Sequence, residues 1–209
     1  MAQPDITRLI AMQKMLLQFQ AIDRALYIPD RGERHENDVE HSYNLAMAAW
    51  FLATYFAELD RDLVIRMALV HDLVELHAGD TFPFHNESEV ATKQQREEAA
   101  LEKIREDWSD FAEMTECMQL YEERSTPEAK FVYALDKVMP AIMNLLQGGA
   151  VWRERNITLQ DIRALKDDKV ALSPEIIPYY HQLLELLQKN PQLFSPAKGT
   201  GKQRQNLLY

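Results

Sequence analysis

Two adjacent side chains in an apolar segment, His71 and Asp72, are the residues of this sequence best suited to chemistry. They lie between the apolar runs 68–70 and 73–74, and the segment ends at Gly79. Burying a carboxylate among apolar side chains is costly unless a partner neutralises its charge. A divalent metal ion would satisfy both side chains, so the pair predicts a metal site.

His41 and Asp136 are further candidate ligands, because each lies on a predicted helix that is otherwise dominated by apolar residues. Adjacent residues of a helix point about 100° apart, so His71 and Asp72 flank one ion only where the edge of their helix faces it. Two imidazoles and two carboxylates suit Mn, Fe, Co, Ni or Zn better than Ca, and the absence of thiolates disfavours a structural zinc site. Four protein ligands leave positions open for water and a phosphate oxygen.

The competing interpretation is purely structural. A lone histidine on an apolar helix is more often a core residue satisfied by internal hydrogen bonds than a metal ligand. Here His71 and Asp72 are adjacent, and two buried polar groups both need partners, which weakens that interpretation. A helical adaptor without a metal nevertheless remains an alternative at this point.

The elements that must position these residues are helices. The 209 residues include only 6 Gly and 9 Pro, and 46% of the residues are apolar. Alternating β-branched residues are almost absent, and apolar residues recur with helical spacing, which predicts an all-α, single-domain bundle. We expect the bundle to span residues 1–190, with the metal site inside 22–150 and a mobile tail over 191–209.

Capping residues and breaks set the limits of the predicted helices. The predicted helices run from Asp5 to about Leu26, Asn37 to about Glu58, Asp60 to Gly79, Ser88 to about Asp107, Phe111 to Tyr121, Thr126 to Gly148, after Thr158, and Ser173 to near Asn190. Pro140 has no N–H for the carbonyl of Asp136, so we expect a kink beside this candidate ligand.

The charge of the chain limits its partners. A formal net charge of −10 argues against non-specific binding to nucleic acid or to an anionic membrane, because both need a positive field. A small phosphorylated substrate remains compatible, since a bound cation and a few arginines reverse the sign locally. A single cysteine, no run long enough to span a membrane and no signal-like N-terminus favour a cytoplasmic protein.

The order H…HD…D on helices resembles the histidine–aspartate (HD) domain superfamily of metal-dependent phosphohydrolases. The segments 40–42, 68–75, 79–80 and 134–137 are similar to the branch that contains bacterial 5′-deoxynucleotidases and their eukaryotic relatives. The resemblance runs from about Ile22 to Ala150 and adds little over the last 50 residues. It implies an all-α HD-domain bundle.

The resemblance assigns roles to particular residues. It implies one divalent metal ion held by His41, His71, Asp72 and Asp136. It also implies that Glu75 and Asp80 act on the attacking water or on the leaving group. Glu75 follows Asp72 by three residues and His71 by four, which suits a neighbouring position on one helix. Asp80 also has a simpler interpretation as a turn residue after a glycine.

Phosphate binding is assigned to basic residues. The family has an arginine after the first helix that meets the phosphate, and Arg24 matches it best, with Arg34 as the alternative. Lys137 is a further candidate contact because it follows Asp136 directly. No extra basic cluster suited to a longer phosphate chain is evident from the sequence.

The function implied is release of phosphate from (deoxy)ribonucleoside 5′-monophosphates by a homodimeric enzyme. Hydrolysis of nucleoside triphosphates or of guanosine alarmones is the alternative within the same chemistry. A regulatory module that binds a nucleotide without hydrolysing it is the alternative from another class, and the intact ligand set counts against it.

Overall fold

The computed structural model describes residues 5–29, 32, 34–79 and 87–195 of the chain. This part is helical apart from one two-stranded antiparallel sheet, which confirms the all-α prediction. The helices are α1 (Ile6–Gln20), α2 (Asp38–Ala53), α3 (Arg61–Val70), α4 (Glu75–Ala78), α5 (Glu87–Asp107), α6 (Ala112–Glu123), α7 (Pro127–Leu146), α8 (Ala150–Glu154), α9 (Leu159–Val170) and α10 (Ile177–Gln188), followed by a 3₁₀ turn (Pro191–Leu193).

The local start signals of three helices are confirmed. Asn37 and Glu40 form both hydrogen bonds of a capping box at the start of α2. Asp60 accepts hydrogen bonds from the first amides of α3. Thr126 caps α7, with Pro127 at the first helical position. These caps fix where the helices that carry His41 and Asp136 begin.

The first predicted helix extends about six residues too far. Helix α1 ends at Gln20, and the chain then forms strand β1 (Asp23–Tyr27), which pairs with strand β2 (His35–Asn37). The strand packs against α7 and α8 and buries Leu26. These long-range contacts override the helical spacing of the apolar residues, and they place Arg24 on a strand.

The predicted central helix is broken at the candidate metal site. Helix α3 ends at Val70 and α4 begins at Glu75, with a turn over 71–74 between them. In the turn the amide of Leu73 donates to the carbonyl of Val70, and that of Glu75 to the carbonyl of Asp72, so the chain tightens to three-residue spacing. His71 and Asp72 therefore lie at a helix end rather than within a helix.

Three mutually packed helices surround the site. Helices α2, α3 and α7 contact one another pairwise, and their apolar faces form the larger of two buried clusters. The smaller cluster joins α1, α4, α5 and α6. Packing also continues past the expected end of the bundle, since Leu193 is buried and the Phe194 ring stacks on Trp152 at 4.8 Å. No helix in the described residues is long and apolar enough to cross a membrane.

Candidate metal centre

The four candidate ligands meet at one point. His41 Nε2 lies 3.0 Å from Asp136 Oδ1, and His71 Nε2 lies 3.0 Å from Asp72 Oδ2. The cross distances are 3.7 Å from His71 Nε2 to Asp136 Oδ1 and 3.9 Å from His41 Nε2 to Asp72 Oδ2. Donor atoms that share one ion at bond lengths of about 2.0–2.2 Å lie roughly 3–4 Å apart, so these atoms fit a common divalent metal ion.

His71 has a buried ring nitrogen that a metal would satisfy. Its Nδ1 lies 3.0 Å from the carbonyl oxygen of Ala68, which fixes the ring as metal-bound histidines are commonly fixed. Its Nε2 is buried and forms no hydrogen bond to a described residue. Burial disfavours a charged ring, but Asp72 and Asp136 outweigh burial and raise the pKa of His71 to about 10. The two carboxylates therefore favour a positive charge at this point, and a bound metal ion would supply it in place of this proton.

Asp136 is held in place from the opposite side. Its Oδ2 accepts hydrogen bonds from Lys137 Nζ at 2.6 Å and from the Tyr121 hydroxyl at 3.2 Å. Its Oδ1 is thereby left facing the two histidines. Burial opposes ionisation, but Lys137 and the histidines hold the pKa of Asp136 well below its ordinary value. Asp136 is therefore a charged ligand candidate in a fixed orientation.

Arg24 reaches the site from strand β1. Its Nη1 donates to Asp38 Oδ1 and to Asp72 Oδ2, both at 2.9 Å, and its Nη2 forms no hydrogen bond to a described residue. Arg34, the alternative phosphate ligand, is instead exposed and pairs with Glu40. The structure thus brings Arg24 to the candidate centre and leaves Arg34 outside it.

A second carboxylate group adjoins the metal ligands. Asp38, Asp72 and Glu75 present oxygen atoms within 4.8 Å of one another. Burial raises the pKa of Asp38, although Arg24 opposes it. Charged carboxylates this close repel one another, so Glu75 belongs to a tight acidic group at the edge of the site. Asp80 lies outside the described residues.

Sequence analysis missed Asp38 and Glu36. Both are buried, and Glu36 Oε2 lies 3.7 Å from His41 Nδ1. An acidic residue in the first turn of a helix has an ordinary structural explanation, so Asp38 gave no distinct signal. Glu36 lies on β2, which was not predicted.

A cavity of about 160 Å³, partly open to solvent, begins at the candidate centre. The centre contributes Arg24, Asp72, Glu75, Asp136 and Lys137 to its wall. Apart from three lysines, the remaining wall is mostly apolar and is lined by Ala25, Leu26, Pro140, Ala141, Asn144, Val151, Trp152, Ile157, Ile162 and Leu165.

Three more lysines line this cavity, which corrects the expectation that no extra basic cluster exists. Lys93 comes from α5, while Lys166 and Lys169 come from α9. They are separated by up to 76 residues of sequence, so only the fold assembles them. The sequence holds one sign of this cluster, the three-residue spacing that places Lys166 and Lys169 on one helix face.

The burial of Lys166 predicts that the stability of the fold depends on pH. Burial and then Lys137 lower the pKa of Lys166 to about 7 in the folded protein, whereas an unfolded lysine titrates near about 10.4. Between these values the unfolded chain binds more protons, so raising the pH from about 7 to 10 stabilises the fold. Lys166→Met removes this contribution. We therefore expect the free energy of unfolding of the wild type, measured by urea denaturation, to rise relative to that of Lys166→Met across that pH range. An equal difference in unfolding free energy between the two proteins at pH 7 and pH 10 would contradict this prediction. The exposed Lys189→Met is the control.

The fold and the site define a class: an all-helical protein with a histidine–aspartate centre at the mouth of a cavity. The HD domain family matches residues 17–177, and the chain belongs to this family. The resemblance to the HD-domain superfamily, stated from the sequence, is thereby confirmed.

Two solved structures share this fold. A predicted metal-dependent phosphohydrolase from Magnetospirillum magnetotacticum MS-1 is 30% identical, with a TM-score of 0.73, over 90% of this chain and 96% of that one. The PH0347 protein from Pyrococcus horikoshii OT3 is 21% identical, with a TM-score of 0.55, over 85% of this chain and 99% of that one. The second likeness concerns the fold alone.

A curated relative resembles the part of the chain that holds the site. The 5′-deoxynucleotidase HDDC2 of Xenopus laevis is 33% identical over 131 residues, which is 62% of this chain and 64% of the frog protein. The similarity therefore spans less than two thirds of that relative's length.

Proposed function

We propose that the protein hydrolyses the phosphate ester of (deoxy)ribonucleoside 5′-monophosphates and releases a nucleoside and inorganic phosphate. The observation that carries the proposal is the set of four donor atoms, 3.0–3.9 Å apart, at the mouth of a partly apolar cavity. The name of the frog relative supports the monophosphate as substrate. The Magnetospirillum structure supports metal-dependent phosphoryl chemistry.

The proposed metal ligands are His41, His71, Asp72 and Asp136. Their mixed nitrogen and oxygen donors favour a divalent transition metal, and we propose Mn²⁺, Co²⁺, Ni²⁺, Fe²⁺ or Zn²⁺. When bound, such an ion neutralises phosphate charge and lowers the pKa of a water molecule.

The remaining roles fall to side chains around the ligands. Glu75 accepts the proton of the attacking water, because its carboxylate lies within 4.8 Å of that of Asp72, a proposed metal ligand. Arg24 holds the phosphate through N–H groups not engaged by Asp38 and Asp72, and Lys137 adds a positive charge beside it. Asp80 follows Gly79, the residue after α4. We propose that Asp80 protonates the leaving 5′-oxygen.

The apolar part of the cavity wall is suited to the nucleoside. Trp152, Val151 and Ile157 offer apolar contacts for a base, and Asn144 Oδ1 is a buried acceptor without a hydrogen bond to a described residue. An aromatic, apolar pocket with a few polar groups is the usual way to orient such a ligand.

A phosphate-release screen tests the proposal. Protein purified without chelator is assayed with nucleoside mono- and triphosphates and a guanosine bis-diphosphate, each with Mn²⁺, Co²⁺, Ni²⁺, Fe²⁺ or Zn²⁺. We expect release from monophosphates with at least one metal and none after chelation. Release from no nucleotide with any metal would contradict enzymatic function and favour a binding module. Absence of bound metal would favour a structural adaptor.

We further propose that the enzyme is a cytoplasmic homodimer. Helix α2 exposes an apolar stripe, Tyr43, Met47, Trp50 and Phe51, that a second copy would cover. Buried, unpaired Cys117 suits a reducing compartment. Light scattering should give the mass of two chains, and Trp50→Glu should give that of one; a monomeric wild type would contradict the dimer.

A further inference from the structure

Helix α9 presents two lysines to the cavity. Ile162, Leu165, Lys166 and Lys169 all line it, and their spacing places them on one face of the helix. The proposed metal ligands come from α2, α7 and the turn before α4. The α9 lysines therefore belong to a wall of the cavity that supplies no metal ligand.

These two cations lack counter-charges, unlike the other lysines of the cavity. Lys137 pairs with Asp136 at 2.6 Å, and Lys93 pairs with Glu97 at 3.2 Å. Lys166 and Lys169 form no ion pair with a carboxylate of the described residues. Lys166 is only 8% exposed, and its Nζ donates at 2.5 Å to the backbone carbonyl of Lys137.

Buried positive charge without a partner is unfavourable. Burial, followed by repulsion from Lys137, lowers the pKa values of both Lys166 and Lys169. The chain as a whole carries a net charge of −10, so this concentration of unmatched positive charge is local. An anion bound beside Lys166 and Lys169 would compensate this positive charge.

A structural role explains only one of the two residues. Lys166 satisfies a carbonyl of α7 next to the turn where Pro140 interrupts the helical hydrogen bonds. Lys169 makes no such hydrogen bond with a described residue, yet it lines the same cavity. A ligand accounts for both residues together.

The scissile phosphate does not require them. The proposed metal ion, Arg24 and Lys137 already supply its positive partners. Resting on the proposed function, we infer that Lys166 and Lys169 bind a second phosphoryl group of the nucleotide, so the preferred substrate carries two phosphates. Water then cleaves the 5′-ester bond, giving a nucleoside 3′-phosphate and phosphate from a 3′,5′-bisphosphate, or a nucleoside and diphosphate from a 5′-diphosphate.

The test compares three substrates with the metal-loaded protein: deoxyadenosine 5′-monophosphate, 5′-diphosphate and 3′,5′-bisphosphate. Loss of the 5′-phosphoryl group is followed by chromatography. We expect kcat/KM to be at least about tenfold higher for one of the two doubly phosphorylated substrates, and that substrate identifies the position of the second group. A monophosphate hydrolysed as well as both others would overturn the inference while leaving the proposed function intact.

Variants separate binding from structure. Lys169→Met should lower kcat/KM for the preferred substrate about tenfold, mainly through KM, and change that for the monophosphate less than about threefold. Lys166→Met should act in the same direction, and exposed Lys189→Met is the matched control. Equal losses on all three substrates in Lys169→Met would refute a second phosphate site. No hydrolysis of any substrate by wild type would instead refute the proposed function.

Discussion

Asp136→Asn is expected to strip the protein of its metal ion and to lower phosphate release about a thousand-fold or more. The substitution keeps the size of the side chain but removes the negative charge that faces His41 and His71. A metal ion supplies several kcal/mol of charge stabilisation in the transition state, and roughly 4 kcal/mol corresponds to a factor of about a thousand. Metal content by elemental mass spectrometry and phosphate release measure the two effects.

The fold should survive this change. An asparagine can still accept the hydrogen bond from Tyr121, and it leaves the buried volume unchanged. Circular dichroism should therefore match the wild type. Asp168→Asn, on the exposed face of α9, removes the same charge elsewhere and should keep both metal and activity. If Asp136→Asn retained full metal content and full activity, the proposed centre would be wrong.

Glu75→Gln is expected to lower kcat about 100- to 10,000-fold while the metal stays bound. Loss of a positioned general base typically has an effect of this size. Glu75 lies beside the ligands, within 4.8 Å of Asp38 and Asp72, and it is outside the His41–His71–Asp136 cluster. Single-turnover measurements with a monophosphate and parallel metal analysis separate catalysis from metal binding.

The exposed Glu106→Gln on α5 is the matched control, since it removes a carboxylate far from the described site. It should behave as wild type. Loss of metal from Glu75→Gln would make Glu75 a ligand rather than a base. Unchanged kcat in Glu75→Gln would remove it from the mechanism altogether.

The sequence by itself determined the helical class, most helix starts and the candidate ligands. Caps such as Asn37 with Glu40, and Thr126 before Pro127, depend on hydrogen bonds within one turn of chain, so the local sequence suffices to predict them. The candidate ligands were detectable because charged groups are rare on apolar helices. Their types alone also limited the ion to a transition metal.

Only the tertiary structure decided where the chain departs from helical spacing and what surrounds the ligands. Long-range packing turns the segment after α1 into a strand and brings Arg24 against Asp38 and Asp72. It also breaks the central helix at His71. The α9 lysines join the cavity through the contact between α7 and α9. Such contacts link residues far apart in the chain, and their energies depend on burial and charge in three dimensions, which local periodicity does not encode.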